Sequence, residues 1–221
     1  MKSKFILYSL SLLAVITLSY SFMTPAKKIK PCDNSTAGVE LKTDMRKLWE
    51  DHVTWTRNVI FNIIDDLPGT DEAVKRLLKN QDDIGNAIKP YYGADAGKKL
   101  TELLHSHITQ AADLLKAAKK DDNAAFESIN KEWKKNADEI ATFLSKANPN
   151  WKVAEMKKMM QDHLALTIEE AVARKKKDYA ADVVAYDKVH NEILEMSDMI
   201  SMGIVEQFPD KFKSVKSVGT K

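Results

Sequence analysis

The sequence predicts an all-α fold: a six-helix up-down bundle built from three degenerate helical hairpins. Long stretches lack helix breakers, because the 221 residues include seven glycines and six prolines. Apolar residues recur at helical spacing, and the alternation typical of strands is missing. A histidine also recurs among similar neighbours at intervals of 55 and 56 residues, at His52, His107 and His163. A period of that length, about one helical hairpin, indicates repeated units that pack on one another.

The N-terminal segment is expected to lie outside this fold. Lys2 and Lys4 precede an apolar run over residues 5–22, which is the pattern of an export signal. The run is close to the lower length limit for spanning a bilayer. We therefore expect residues 1–26 to be a signal peptide or a membrane anchor, followed by a leader over residues 27–40. Both interpretations place the remaining chain in the periplasm or outside the cell, with this segment as its one membrane contact.

The helical domain is predicted over residues 41–212, with a flexible tail over residues 213–221. The first helix is expected over about residues 41–66, and Thr70 is the expected N-cap of the second. The later boundaries are marked by Pro90 with Gly93, by Asp121 or Asp122, by residues 148–150, by Asp178 and by Pro209. The inward face predicted for the sixth helix comprises Tyr179, Val183, Tyr186, His190, Ile193 and Ile200.

The three recurring histidines are the main candidate site. Each lies on an apolar helix face, so each imidazole is expected to be buried. Three imidazoles from three helices could bind zinc, iron or copper and leave one coordination position open. The residues four positions later are Thr56, Ala111 and Thr167, none of which is a good ligand. The paired-ligand motif common in metal-binding bundles is therefore missing.

The alternative is that each histidine makes a buried hydrogen bond within its own hairpin. A neutral imidazole needs one partner for its donor nitrogen and one for its acceptor nitrogen. Asparagines on the paired helices are the natural partners in the first two hairpins, and the third hairpin has lost this asparagine. The expected pairs are His52 with Asn80, His107 with Asn136, and His163 with Asp198, Ser197 or Glu195.

Aromatic residues near the histidines could line a ligand pocket between the helices. The expected pocket residues are Trp49, Trp55, Trp133 and His190. Six of the nine methionines fall within residues 156–202, and thioethers beside imidazole suit Cu(I). Irregular core filling is the commoner role of methionine. No cofactor is therefore assigned, and zinc, iron and copper stay open.

Composition and missing motifs narrow the function. A net charge of +2 with 30% charged residues argues against nucleic acid binding. The sequence has no phosphate-binding glycine loop and no nucleophile motif, and its single cysteine, Cys32, has no catalytic setting and no internal disulfide partner. We predict an exported, non-enzymatic protein that binds a small molecule or an envelope partner. The alternative is a mononuclear metal-binding protein that uses one histidine from each hairpin.

Four stretches resemble an uncharacterised bacterial family of exported small all-helical proteins. They are KLWEDHVTWTR (47–57), NADEI (136–140), HLALT (163–167) and QFPDKF (207–212). The resemblance covers residues 41–212 and implies a helical fold without agreed catalytic residues. Some members bear labels such as glycosyltransferase or acetylglutamate kinase. Those chemistries are expected on α/β folds, for which this sequence has no pattern.

Overall fold

The computed structural model describes residues 36–213, and this range is built from helices. They are α1 (Thr36–Ile64), α2 (Thr70–Tyr92), α3 (Ala94–Lys119), α4 (Asn123–Ala147), α5 (Val153–Lys175) and α6 (Tyr179–Gln207), followed by a 3₁₀ turn at Pro209–Lys211. The all-α prediction is thus confirmed, although α1 begins five residues earlier than predicted. The expected signal or anchor, Cys32 and the tail beyond residue 213 lie outside the described residues. Among the helices described, none has the length and apolar character needed to cross a membrane.

Each helix packs against the next, and α6 packs against α1, so the six helices form a closed ring. The pairs run antiparallel: on the α1–α6 seam, Arg46 contacts Asp198 whereas Arg57 contacts Asp182. Helix α1 also contacts α3 and α5. The three odd-numbered helices therefore run in one direction and meet inside the ring. These are the helices that carry the recurring histidines.

A close backbone approach joins α2 to α3. A Cβ on Gly85 would lie 2.8 Å from the carbonyl oxygen of Gly97, and a Cβ on Gly97 would lie 2.6 Å from that of Gly85. Side chains at either position would force the helices apart. The connection itself is Gly93, whose φ of 88° lies in the left-handed region that glycine adopts without strain.

The buried side chains form two apolar clusters that repeat the hairpin period. The larger cluster includes Met45, Leu100 and Met156, each seven residues before a recurring histidine. The smaller cluster includes Ile60, Leu115 and Ala171, each eight residues after one. Because one turn of helix holds 3.6 residues, the histidines lie at the level between the two clusters.

The inward face predicted for the first half of α6 is wrong. Tyr179 and Val183 are exposed, Tyr186 and His190 are partly exposed, and the buried positions are one residue away, at Asp182, Ala185 and Val189. Farther along, Ile193 and Ile200 are buried as predicted. The shift arises because the carboxylate of Asp182 turns inward to contact Arg57. A buried acid on the inner face hid the true orientation from an argument based on apolar spacing.

Candidate functional site

The three recurring histidines meet in the core and form what we call the histidine layer, His52, His107 and His163. Their exposed fractions are 3%, 3% and 4%. The ring centroid of His163 lies 5.6 Å from that of His52 and 6.5 Å from that of His107. The histidines converge because the hairpins close into one ring with the odd-numbered helices inside. A linear stack of hairpins would have kept them apart.

Each histidine of the layer is held through Nδ1 by a side chain on the next helix. His52 Nδ1 lies 3.1 Å from Gln81 Nε2. His107 Nδ1 lies 2.9 Å from Asn136 Oδ1, and His163 Nδ1 lies 3.0 Å from Glu192 Oε2. All three partners follow their histidine by 29 residues. The even-numbered helices thus contribute an equivalent Nδ1 partner in each hairpin.

The expected contact between His107 and Asn136 is present, but the expected pairing of His52 with Asn80 is wrong. Asn80 Nδ2 donates to the carbonyl of Leu48, and its Oδ1 accepts from Gln81. Asn136 makes the corresponding backbone bond in addition to its bond with His107. The error is a shift of one residue, because the first two histidines are 55 residues apart whereas the two asparagines are 56 apart.

The partner expected for His163 is also different. Asp198 instead accepts from Arg46 at 2.7 Å and pairs with Lys42 at 3.1 Å across the α1–α6 seam. The sequence argument therefore missed Gln81 and Glu192. A search for a polar side chain 29 residues after each histidine would have found them.

The bonding pattern sets the tautomers of the layer. An amide or carboxylate oxygen only accepts, so His107 and His163 donate from Nδ1 and keep a lone pair on Nε2. Gln81 presents its amide nitrogen to His52, whose Nδ1 therefore accepts. Burial, with the neighbouring His163, lowers the pKa of His52 well below its usual value and that of His107 to about 3. Both imidazoles are therefore neutral at physiological pH.

Two tryptophans cover the ends of the layer. The ring of Trp49 packs edge-on against His52 at 5.8 Å between centroids, and that of Trp133 lies 5.1 Å from His107. The other two expected pocket residues lie elsewhere. Trp55 stacks under the guanidinium of Arg76, and His190 contacts Glu50 at 3.2 Å.

Several buried polar atoms around the layer have no hydrogen-bond partner among residues 36–213. They are Gln81 Oε1, Glu192 Oε1, Trp49 Nε1 and Trp133 Nε1. An unpaired buried polar group costs about 1–3 kcal/mol. The carboxylate of Glu192, on a side chain 13% exposed, contacts His163 and makes no ion pair with lysine or arginine in the part of the chain described. The layer therefore combines neutral imidazoles with a poorly neutralised carboxylate.

A second buried polar group, which the sequence did not reveal, lies beside the layer. Arg57 Nη1 contacts Glu170 Oε1 at 2.5 Å and Asp182 Oδ1 at 2.8 Å. Its guanidinium also lies 4.5 Å from the ring centroids of Phe61 and Tyr186. Burial raises the pKa of Glu170 to about 7 against the lowering effect of Arg57. This cluster joins α1, α5 and α6, and we call it the Arg57 cluster.

The histidine layer is close to a metal-binding arrangement but does not have one. In a tetrahedral site with metal–nitrogen distances of about 2.0–2.1 Å, the centroids of two imidazole ligands lie about 5 Å apart. The two measured separations of 5.6 and 6.5 Å are longer. Accordingly, no group of three or more His, Cys, Asp or Glu side chains within residues 36–213 is placed to hold a metal ion.

Comparisons with known proteins do not identify a relative. No family model, no curated protein and no solved structure matches the chain. The resemblance to a bacterial helical family therefore stays a prediction, and function has to be argued from the geometry of the core.

Proposed function

We propose that this chain is an exported, non-enzymatic binding protein that holds a divalent transition-metal ion between His52, His107 and His163. The observation that carries the proposal is the repeated Nδ1 contact, made by a partner 29 residues after each imidazole. Export rests on the N-terminal sequence pattern alone.

The Nδ1 contacts resemble the outer shell of a metal site. A ligating histidine usually donates its second ring N–H to a carboxylate or carbonyl, which fixes the ring and leaves Nε2 free for the metal. His107 and His163 already have this arrangement through Asn136 and Glu192. His52 would gain it if the Gln81 amide turned so that its unpaired Oε1 accepted from Nδ1.

Charge also favours a cation in this layer. Neutral imidazole is the form that binds metals, and the low pKa of His52 and His107 keeps both rings neutral. Glu192 adds a carboxylate with one oxygen unpaired. A divalent ion on the three Nε2 atoms would offset this negative charge through His163. Burying an unpaired charge is otherwise expensive.

Binding requires a modest movement of the rings. The His107–His163 separation of 6.5 Å must shorten by about 1 Å to reach the spacing of a tetrahedral site. Rotation about side-chain torsions can supply such a shift while each Nδ1 keeps its partner. The resulting site would have three histidine ligands and one open position.

The test is metal analysis of the full mature chain, purified without a histidine tag. We expect about one Zn²⁺, Cu²⁺ or Fe²⁺ per chain, and a rise in thermal midpoint when the chelated protein is titrated with the preferred ion. A metal content below about 0.1 per chain, together with no stabilisation by any of the three ions, would overturn the proposal.

Matched variants separate the layer from other histidines. His163→Gln should abolish stoichiometric binding, whereas His105→Gln, two residues from His107 and half-exposed, should bind as the wild type does. Glu192→Gln keeps a hydrogen-bond acceptor but removes the charge, and should weaken binding about 10- to 100-fold. Equal metal affinity in the wild type and the His163→Gln variant would place any bound metal outside the layer.

A further inference from the structure

An apolar cavity lies one helical turn beyond the histidine layer. Its lining includes Thr56, Ala111 and Thr167, each four residues after a recurring histidine, and Trp133, which also packs on His107. The remaining lining residues are mostly aliphatic and come from α1 to α5. The cavity therefore shares a wall with the layer while being separate from its imidazole nitrogens.

The polar groups at the cavity wall are already used. The hydroxyls of Thr56 and Thr167 donate to the carbonyls of His52 and His163, both at 2.8 Å. Lys175 is the one charged residue of the lining, and its ammonium donates to the carbonyl of Ala118 and pairs with Asp121. An occupant of the cavity therefore finds neither a free hydrogen-bonding group nor a free charge.

The size and lining of the cavity exclude water and fit a small apolar molecule. The cavity has a volume of about 40 Å³. One water needs about 10–15 Å³ of such space together with two to four polar partners. The space would suffice for a few waters, but the partners are missing. Apolar cavities of this kind stay dry and take up molecules such as benzene or xenon.

A route to the cavity exists at the end of α5. Val172, which lines the cavity, is 39% exposed, and the Lys175 side chain is 32% exposed. The side chain of Lys175 reaches from α5 to the end of α3, so its movement would open the cavity to solvent.

We infer that this cavity is a binding site for a small, uncharged, apolar molecule such as a single aromatic ring. The site goes beyond the proposed metal site and does not depend on it, because none of its lining residues is one of the three histidines. It fits the size of a ring rather than a lipid chain. Its shared wall, Trp133, places the occupant next to the layer.

The experiment titrates the chelated full chain with benzene and follows the denaturant midpoint. Benzene should raise the midpoint in a saturable way, since a ligand that binds the native state stabilises it. Benzoate, of similar size but charged, should give no saturable shift. The inference is overturned if benzene has no effect, or if benzoate stabilises the protein equally well.

Two cavity variants and a control locate the site. Ala111→Leu fills the cavity and should weaken benzene binding by about tenfold or more, whereas Ala154→Leu, on the exposed face of α5, should not change it. Ile168→Ala enlarges the cavity and should tighten binding of toluene, which also tests the site should Ala111→Leu fail to fold. Unchanged benzene affinity in both cavity variants would overturn the assignment. Metal content should be the same in the wild type and the Ala111→Leu variant, so the two sites fail or succeed separately.

Discussion

At the residue scale, the contact between His107 and Asn136 shows what the histidine layer does without a metal. The asparagine accepts from His107 Nδ1 with Oδ1 and donates to the carbonyl of Leu103 with Nδ2. One side chain therefore satisfies an imidazole and a backbone group on the facing helix. Removing either partner leaves a buried polar atom unpaired, which costs more than the bond itself contributes.

This contact predicts a measurable coupling. In metal-free protein, His107→Ala and Asn136→Ala should each lower the unfolding free energy by about 1–3 kcal/mol. The double variant should lose less than the sum, by at least about 0.5 kcal/mol, because the second substitution finds its partner already gone. Denaturant unfolding of the four proteins measures the cycle.

The control for this cycle is the pair His105 and Asp82 on the same two kinds of helix. Nε2 of His105 lies 2.9 Å from Asp82 Oδ1, but both side chains are about 40% exposed. Exposed ion pairs contribute little, so this cycle should show a much smaller coupling. Additive losses at His107 and Asn136 would mean that the buried contact does not contribute as the geometry implies.

At the element scale, two helix starts repeat the hairpin period. The N-caps of α4 and α6 are Asp122 and Asp178, and each side chain accepts from the backbone amide three residues later at 3.0 Å. Both were predicted as boundary residues. The prediction of Thr70 as an N-cap is wrong, because Gly69 occupies that position and the hydroxyl of Thr70 donates to the carbonyl of Leu67.

These caps predict a graded set of stabilities. Asp122→Ala and Asp178→Ala should each lower the unfolding free energy by about 0.5–2 kcal/mol, since each leaves an amide of the first turn unpaired. Thr70→Ala should change it by less than about 0.5 kcal/mol. Urea unfolding followed by circular dichroism tests all three. A loss at Thr70 as large as that at Asp178 would contradict the assignment of the caps.

Helix positions were predictable because breakers and caps act locally, whereas side-chain pairing across helices was not. Pro90, Gly93 and Asp178 mark ends that the structure confirms. The pairing of His52 with Gln81 rather than Asn80 depends on a rotation of α2 relative to α1 by one residue. That rotation is a property of the packed pair, and apolar spacing in a single helix does not encode it.

At the scale of the whole molecule, the sequence left open whether the hairpins form a row or a closed ring. The repeat is compatible with both, since neighbouring hairpins pack in either case. The ring is closed by contacts of α6 with α1, which pair residues more than 100 positions apart, such as Arg46 with Asp198 and Arg57 with Asp182. These contacts have no local signal in the sequence. Convergence of the histidines follows from this closure.

The Arg57 cluster makes ring closure sensitive to pH. Glu170 and Asp182 share one guanidinium in a buried setting, so both carboxylates cannot be fully neutralised. Burial is the main cause that raises the pKa of Glu170 from 4.5 to about 7, and the charge of Asp182 adds to it. Between those pH values the native protein binds more protons than the unfolded chain. The contribution of Glu170 to stability is therefore complete below about pH 4.5 and is lost as pH rises through 7.

This linkage predicts the behaviour of Glu170→Gln, whose neutral amide cannot ionise. Relative to the wild type, the variant should gain stability as pH rises from 5 to 7, by at most about 1.4 kcal/mol per pH unit. The measurement is urea unfolding at several pH values in the presence of a chelator. Glu169→Gln, which alters an exposed residue paired with Lys188, provides the control and should follow the wild-type profile. Parallel profiles for Glu170→Gln and the wild type would show that Glu170 stays ionised in the native ring. The closure of α1, α5 and α6 would then depend on a permanent rather than a titrating ion pair.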